Sequence, residues 1–435
     1  MDSSPAMSDR QAALSREIVA RRDDLVELTQ DLIRIPTLNP PGEFYRDICE
    51  YLATRLGRSG FDIKLLRARG TPGDSDRYPR WNVIARREGA GPGPCVHFNS
   101  HIDVVETGSG WTFDPFGGTV ANGKVYGRGA CDMKGGLAAS IVAVEAFVAL
   151  FADFPGAIEI SGTADEETGG YGGVAWLAEQ GYFSPERVQH VIIPEPLNKD
   201  RICLGHRGVW WAQIRTHGRI AHGSMPFLGD CAVRHMGAVM AEMEASLFPA
   251  LADKRTAMPV VPDGARQSTM NINSIHGGQA EPERGFTGFP SACVPDSARM
   301  VIDRRYLIEE QPEEVHEEIL ALLERVKAAR PGFSYDLDVL WQVSPSMTDR
   351  DAPVVRAVDR SIRAVLSCEP AYVVSPGTYD QKHVDRIGRL KDCIAYGPGI
   401  LDLAHQPDEY VGIEDMVDAA KVMAFAMDDL LHRRV

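Results

Sequence analysis

The chain has 435 residues, of which 44% are hydrophobic and 25% charged, and its formal net charge is −15. This length exceeds one ordinary hydrophobic core and predicts two domains. The negative charge and the absence of a Lys/Arg-rich stripe argue against nucleic acid and membranes as partners.

The polar N-terminal segment has no signal-peptide h-region, and no apolar run is expected to reach membrane-spanning length, so a cytoplasmic protein is predicted. The eight cysteines show no CxxC spacing and indicate small buried hydrophobic residues in a reducing compartment.

The first half of the chain alternates between helix-like and strand-like apolar patterns. Apolar spacing predicts helices over residues 14–35, 47–56 and 133–151, and strands over residues 82–85, 96–99, 157–162 and 188–193. The helix over 133–151 is apolar on nearly every face, which is typical of a helix buried against a sheet. Strands that alternate with helices predict a mostly parallel sheet with helices on both faces, an α/β fold.

The pattern changes near Gly208, where a second domain is expected to begin. Apolar spacing predicts strands over 209–216, 269–275 and 298–306, helices over 230–247 and 312–329, and a Pro/Gly-rich loop over 280–291. This order predicts a smaller α+β sandwich over residues 208–339, inserted into a discontinuous α/β domain of residues 1–207 and 340–435. Beyond the insertion the α/β pattern resumes, with helices predicted over 352–366 and 413–431 and a strand over 393–396.

Five segments rich in acidic residues or histidine lie where apolar runs give way to turns. They are SHIDVV (100–105), GRGACDMKGG (127–136), TADEETGG (163–170), PEP (194–196) and AHQPDE (404–409). An open α/β sheet collects its ligands at the carboxyl ends of its strands, which is where these segments are expected. Histidine with Asp or Glu and no thiolate suits Zn²⁺ or a similar divalent metal ion.

The first two segments offer a metal ligand and a bridging carboxylate. His101 and Asp103 share one face of a strand end, so the imidazole can bind a metal while the carboxylate fixes its tautomer. A polar strand terminus would explain the same pair. Asp132 is flanked by glycines that allow a sharp turn, and its two oxygens can bridge two cations. The alternative for Asp132 is an N-cap of the following helix.

The remaining segments supply further acids and a second histidine. Glu166 and Glu167 follow a strand, so one can bind a metal while its neighbour transfers a proton, although a solvated acidic loop is the simpler explanation. Glu195 between two prolines is a rigid ligand or an ordinary turn acid. His405 is a ligand or a loop histidine. Their joint occurrence at predicted strand ends favours a single metal site.

Taken in order, these five segments resemble the M20 metallopeptidase and deacylase family over nearly the whole chain. Its members include acetylornithine deacetylase, succinyl-diaminopimelate desuccinylase and the glutamate carboxypeptidases. The resemblance implies a dinuclear zinc site, with cobalt or manganese as alternatives. It assigns His101, Asp132 and Glu195 to one metal ion, and Asp132, Glu167 and His405 to the other, so that Asp132 bridges.

The resemblance also implies catalytic roles. Glu166 would be the general base, and Asp103 would orient His101. A cis peptide would follow the bridging Asp132. The inserted domain would be a lid and dimerisation domain, and in its segment HGRIAHGSMP the side chain of His222 would stabilise the oxyanion. In dimeric members this histidine comes from the partner subunit, so a homodimer is expected.

Substrate binding is implied for three residues. Arg305, in Asp303-Arg304-Arg305, would bind a substrate carboxylate, although an ion pair with a nearby acid is the alternative. Gly377 and Thr378 begin a late loop, GTYDQKH, that departs from the family's GTSDGRF pattern. The lid asparagine of desuccinylases falls on Ala292. Both departures lie where substrates are recognised and argue against strict succinyl-diaminopimelate desuccinylation.

The resulting hypothesis is a zinc-dependent amide hydrolase that removes the acyl group from an N-acyl amino acid. A metal-bridged hydroxide would attack the amide carbonyl, with Glu166 as general base. A dipeptidase or carboxypeptidase acting through the same dinuclear site is the alternative within enzymes. A non-catalytic binding protein that kept the fold is a further alternative, disfavoured by the complete set of ligands and the intact base.

Overall fold

The computed structural model describes residues 7–278 and 292–432, so the loop predicted over 280–291 lies outside the described residues. The helices are α1 (Asp9–Ala20), α2 (Arg22–Arg34), α3 (Tyr45–Arg58), α4 (Gly135–Leu150), α5 (Trp176–Glu179), α6 (Ala232–Glu242), α7 (Phe248–Asp253), α8 (Pro312–Ala329), α9 (Pro353–Leu366), α10 (Gln381–Arg386) and α11 (Ile413–His432). The strands are β1 (Asp62–Arg67), β2 (Trp81–Glu88), β3 (Gly91–His101), β4 (Thr119–Ala121), β5 (Lys124–Tyr126), β6 (Pro155–Thr163), β7 (His190–Ile193), β8 (Arg201–His206), β9 (Gly208–His217), β10 (Thr269–Gly277), β11 (Ser297–Tyr306), β12 (Ser334–Val343), β13 (Ser346–Met347), β14 (Ala371–Ser375), β15 (Cys393–Ala395) and β16 (Tyr410–Gly412).

The first of two compact units comprises residues 1–205, 348–373 and 379–435. Its principal sheet has the strand order β1-β2-β6-β3-β7-β15-β8. The four central strands β6, β3, β7 and β15 run parallel, whereas β1, β2 and β8 pair antiparallel at the two sides. A separate small sheet joins β16, β5 and β4. The predicted α/β class is confirmed, and the parallel part of the sheet forms its centre.

Helix α4 is buried over most of its length, because nearly all of its residues are small or apolar. Every residue from Gly135 to Val148 is buried, and the helix packs against α1, α2, α11 and β3. Among the described residues, the helical stretch Ala130–Leu150 is long and apolar enough to span a membrane, but 89% of its most apolar 18-residue segment is buried inside the fold. The expectation that no apolar run reaches that length was therefore wrong, and the apolar faces of this stretch are covered by protein.

Two predicted helix boundaries differ from the structure. The helix expected over 14–35 is two helices, α1 and α2, because Arg21 takes a non-helical conformation between them. Helix α4 begins at Gly135, since residues Ala130–Lys134 form a wider turn that contains a cis peptide bond between Asp132 and Met133. No side-chain cap hydrogen bond forms at the start of α4, so Asp132 does not serve as its N-cap.

All eight cysteines are free thiols. Five of them are buried, as expected for small hydrophobic side chains, and Cys231 is half-buried. Cys293 and Cys368 are exposed, so the expectation of burial was wrong for these two.

The second unit comprises residues 206–347 and 374–378. Its antiparallel sheet has the order β10-β11-β9-β12, and α6 and α8 contribute to the core on one face. Strand β12 was not predicted, although its apolar residues alternate with polar ones from Tyr335 to Val339. The unit therefore ends at Met347 rather than at residue 339, because a bound at 339 would cut β12 away from its partner β9.

The core of the second unit predicts a specific stability loss. Leu322 on α8 is fully buried in this core, whereas Leu340 on β12 is 52% exposed. We expect Leu322→Ala to lower the free energy of unfolding by about 2–5 kcal/mol, because it removes buried methyl groups and leaves a cavity. The matched control Leu340→Ala should change it by less than about 0.5 kcal/mol. Chemical denaturation of the purified variants measures both, and equal effects would contradict the assigned core.

Candidate metal centre

Three neighbouring parallel strands deliver the predicted residues to one edge of the principal sheet. Strand β3 ends at His101, β6 runs through Thr163 into the turn of Glu166 and Glu167, and β7 leads into Glu195. Parallel strands point the same way, so their carboxyl ends meet at the same edge and the loops that follow converge there. Residues far apart in sequence therefore lie side by side.

Asp132 reaches this edge from the turn Ala130–Lys134, and a buried ion pair fixes that turn. The Glu409 carboxylate accepts hydrogen bonds from the backbone N–H groups of Cys131, at 2.8 Å, and Asp132, at 3.0 Å. Its other oxygen is bonded to the guanidinium of Arg128, and both side chains are buried. The backbone of Asp132 is thus held while its own carboxylate stays available to a ligand.

The predicted ligands form two groups that share Asp132. In the first, His101 Nε2 lies 3.0 Å from Asp132 Oδ1 and 4.0 Å from Glu195 Oε1. In the second, His405 Nε2 lies 3.5 Å from Asp132 Oδ2 and 3.1 Å from Glu167 Oε1. Within each group one ligand atom from every residue lies within 4.8 Å of the others. The two oxygens of Asp132 therefore face different histidines, as a bridging carboxylate would.

The electrostatics of the two groups suit divalent cations. Burial and the nearby charge of Asp132 raise the pKa of Glu167 to about 7, and the same two causes raise the pKa of Glu195 well above its usual value. Burial would also raise the pKa of Asp132, but hydrogen bonds with His101 and His405 hold it below its usual value. Crowded carboxylates that resist ionisation need positive charge beside them. The nitrogen and oxygen donors present fit two divalent metal ions.

Asp103 connects the first ligand to the acidic turn. The ring nitrogen Nδ1 of His101 lies 3.0 Å from the main-chain oxygen of Asp103 and 3.6 Å from its carboxylate. The Asp103 carboxylate accepts hydrogen bonds from the backbone N–H groups of Glu166 and Glu167, and from Asn39 at 2.8 Å. The nearer partner of the imidazole is thus the main chain, while the carboxylate holds the loop that carries the proposed base.

Four predicted residues belong to the second unit: His222, Arg305, Gly377 and Thr378. His222 is exposed, and its Nδ1 lies 2.8 Å from the hydroxyl of Ser224. Arg305 donates two hydrogen bonds, at 2.7 and 3.0 Å, to the carboxylate of Asp303, which is the ion pair considered as the alternative to substrate binding. The roles that the family resemblance implies for these four residues remain predictions.

Two residues of the site were missed from the sequence. Glu409 lies in the quoted segment AHQPDE, but nothing in the pattern distinguishes an acid that fixes a turn from a solvated one. Lys382 was noted only as part of an altered loop, yet its Nζ lies 2.8 Å from Glu166 Oε1. Its sequence neighbours Asp380, Gln381 and His383 are polar, so the sequence offered no signal that Lys382 is buried.

Comparison with known proteins agrees with this geometry. The sequence profile of Peptidase family M20/M25/M40 matches residues 97–429. The chain is 30% identical over 417 residues to the succinyl-diaminopimelate desuccinylase of Methylobacterium radiotolerans, covering 93% of this chain and 96% of that protein. Human carnosine dipeptidase 1 has a similar fold, with a TM-score of 0.77 at 20% identity and coverage of 99% and 100%. An M20 family metallo-carboxypeptidase from Sulfolobus solfataricus gives a TM-score of 0.74 at 19% identity, with coverage of 94% and 99%.

The fold and the shared-carboxylate ligand groups define a metallohydrolase with an α/β catalytic unit and a separate antiparallel unit. The chain belongs to the peptidase family M20/M25/M40. This membership brings with it a dinuclear metal site, for which the two groups around Asp132 are the candidate ligands.

The contacts of Glu409 predict a change in metal affinity. We expect Glu409→Gln to weaken metal binding about 10- to 100-fold, because it removes the charge that pairs with Arg128 and loosens the turn of Asp132. Calorimetric titration of the metal-free protein measures the affinity. Glu414→Gln is the matched control, since Glu414 pairs with Arg22 at the surface. Unchanged affinity in Glu409→Gln would contradict the role given to this ion pair.

The sharing of Asp132 predicts a change in stoichiometry. His405 belongs to the second group alone and is 49% exposed, so its removal disturbs little packing. We expect His405→Ala to bind one metal ion per chain and the unaltered protein to bind two, as measured by elemental analysis after dialysis. Retention of two ions, or loss of both, would contradict the two-group arrangement.

Proposed function

We propose that this chain hydrolyses the amide bond of a small N-acyl amino acid, with Glu166 as general base. The observation that carries the proposal is the Asp132 carboxylate, whose two oxygens face His101 and His405. Glu166 directly precedes Glu167 in the same turn, so the proposed base is adjacent in the chain to a candidate ligand of the second group. Two divalent metal ions, zinc by preference, would be held by the two groups.

Each side chain has a defined task in this reaction. The bound metal ions would polarise the amide carbonyl and lower the pKa of a water molecule. Glu166 would accept a proton from the attacking water and return it to the leaving amine. Asp103 keeps the turn of Glu166 in place through the two backbone hydrogen bonds. A base whose position is fixed before substrate binds loses less entropy in the transition state.

Removal of an acyl group is favoured over peptide cleavage by a relative that is 30% identical over 93% of this chain. That relative, at 30% identity, is a desuccinylase, whereas the likeness to dipeptidases and carboxypeptidases at 20% identity or below supports the fold alone. The dipeptidase or carboxypeptidase reaction is the alternative function on the same site. A non-catalytic role is disfavoured because the ligands and the base are all present.

Two further proposals follow, the first from the family resemblance and the second from the N-terminal segment and the cysteines. We propose that the chain forms a homodimer, which agrees with exposed apolar side chains on the second unit, such as Phe227 at 77% and Ile220 at 60%. We also propose that it acts in the cytoplasm, where its eight thiols would stay reduced.

The proposed reaction predicts which amide is cleaved and by which residue. We expect the Zn²⁺- or Co²⁺-loaded protein to release free amine from at least one member of a panel of N-acetyl, N-succinyl and N-formyl amino acids and dipeptides. Glu166→Gln should lower kcat by about 10²- to 10⁴-fold, because it removes the proton acceptor. Metal content, measured on the same samples, should stay at two ions per chain.

Either of two results would count against the proposal. Turnover confined to dipeptides would favour the alternative function. Wild-type kcat in Glu166→Gln would remove Glu166 from the reaction.

A further inference from the structure

A buried ammonium group touches the proposed base. Lys382 lies on α10 with its side chain 1% exposed, and its Nζ donates a hydrogen bond of 2.8 Å to Glu166 Oε1. Lysine is almost never fully buried unless it is paired, because removing the charge from water is costly. The ion-pair partner of Lys382 is the carboxylate of Glu166, the proposed general base.

A second carboxylate anchors the segment that carries Lys382. Asp380 is buried just before α10, and its Oδ2 accepts hydrogen bonds from Asn99 Nδ2 at 3.1 Å and Thr163 Oγ1 at 3.4 Å. Asn99 and Thr163 lie near the carboxyl ends of β3 and β6, the strands that lead into the metal centre. Lys382 is therefore fixed to the same rigid sheet edge that carries the ligands.

The neighbouring histidine fixes the other end of the turn that carries Glu166. His383 Nε2 donates a hydrogen bond of 2.7 Å to the main-chain oxygen of Gly169. Gly170 has a φ of +77°, and a Cβ at this position would lie 2.9 Å from Asp380 Oδ1 and 3.0 Å from the His383 ring. Lys382 bonds the first residue of this turn, Glu166, and His383 bonds Gly169 near its end. Together with the close approach at Gly170, these two hydrogen bonds hold the turn against the start of α10.

We propose that Lys382 is a positioning residue for the general base. This inference rests on the proposed role of Glu166. The ammonium holds Oε1 of the Glu166 carboxylate and so fixes the rotation of the side chain, which leaves Oε2 to exchange the proton. Without the ammonium the carboxylate would be free to rotate, and a base displaced by about 1 Å loses about 10²-fold in rate.

The alternative role for Lys382 is direct binding of the substrate, and the kinetic constants separate the two. A positioning residue acts on the transition state through Glu166, so its loss lowers kcat and kcat/KM together and leaves KM nearly unchanged. Loss of a substrate-binding group raises KM with kcat unchanged.

The test uses the metal-loaded, full-length protein and the best substrate of the panel. We expect Lys382→Met to lower kcat about 10²-fold with KM close to that of the wild type, and Lys382→Arg to restore most of kcat, because a guanidinium can make the same hydrogen bond. Lys391→Met is the matched control, since Lys391 pairs with Asp385 at the surface and should keep wild-type kinetics. Metal content should be two ions per chain in all variants.

A second measurement tests the ion pair without reference to turnover. Lys382→Met, Glu166→Gln and the double variant form a cycle for the midpoint of chemical denaturation. We expect the double variant to lose less stability than the sum of the single variants, because each single change leaves one buried charge without its partner. Additive losses would overturn the proposal, whichever substrates are cleaved.

The kinetic outcomes distinguish this inference from the proposed function. An inactive Glu166→Gln protein beside a fully active Lys382→Met protein would overturn the positioning role alone. A raised KM with wild-type kcat in Lys382→Met would overturn it in favour of substrate binding. Wild-type kcat in Glu166→Gln would overturn the general base and the positioning role together.

Discussion

The arrangement of this site depends on one carboxylate placed between two imidazoles. Asp132 presents Oδ1 to His101 and Oδ2 to His405, so it belongs to both ligand groups at once. Asp132 can do this because its backbone is held in place, with a φ of −120° and a ψ of 94° inside the turn before α4. The buried pair of Glu409 and Arg128 fixes that turn.

The principal sheet positions most of the other ligands, and it does so with short connections. Because β6, β3 and β7 are parallel neighbours, the residues that follow them arrive at one edge without any long loop having to order itself. Asp132 and His405 do not follow these strands: Asp132 lies in the turn before α4, and His405 comes from a late loop with a φ of +64°. Side chains on a rigid edge keep their separation when the surface loops move, which is what a site built for metal ions needs.

The class of fold and the ligand residues were predictable from the sequence because each leaves a pattern. Apolar spacing marked α4, β3 and β6, and glycines beside Asp132 marked the turn. The segment of β12 also alternates apolar and polar residues over Tyr335–Val339, but two of its polar residues are Asp336 and Asp338, and aspartate is depleted in strands. The break at Arg21 could not be predicted, since Leu14, Ile18 and Leu25 keep helical spacing across it.

The supporting residues of the site are harder to predict, because their function is defined by a partner that is distant in sequence. Glu409 and Arg128 are separated by most of the chain, and each alone reads as an ordinary charged side chain. Lys382 reads as a surface cation until its contact with Glu166 is seen. Short-range sequence patterns indicate which residues bind metal. The residues that support these ligands are defined by contacts with residues distant in sequence.

Asp103 contacts both the candidate metal ligands and the proposed general base. Its main-chain oxygen contacts His101, while its carboxylate bonds the backbone N–H groups of Glu166 and Glu167. A displacement of this residue would therefore move a ligand of each group and the base at the same time. Because Asp103 contacts both the ligands and the base, its effects on metal affinity and on reaction rate are coupled and not additive. A single substitution in the acidic turn therefore changes both quantities together. The Lys382 contact reaches Glu166 from α10 instead, which gives an independent way to disturb the base while both ligand groups stay intact.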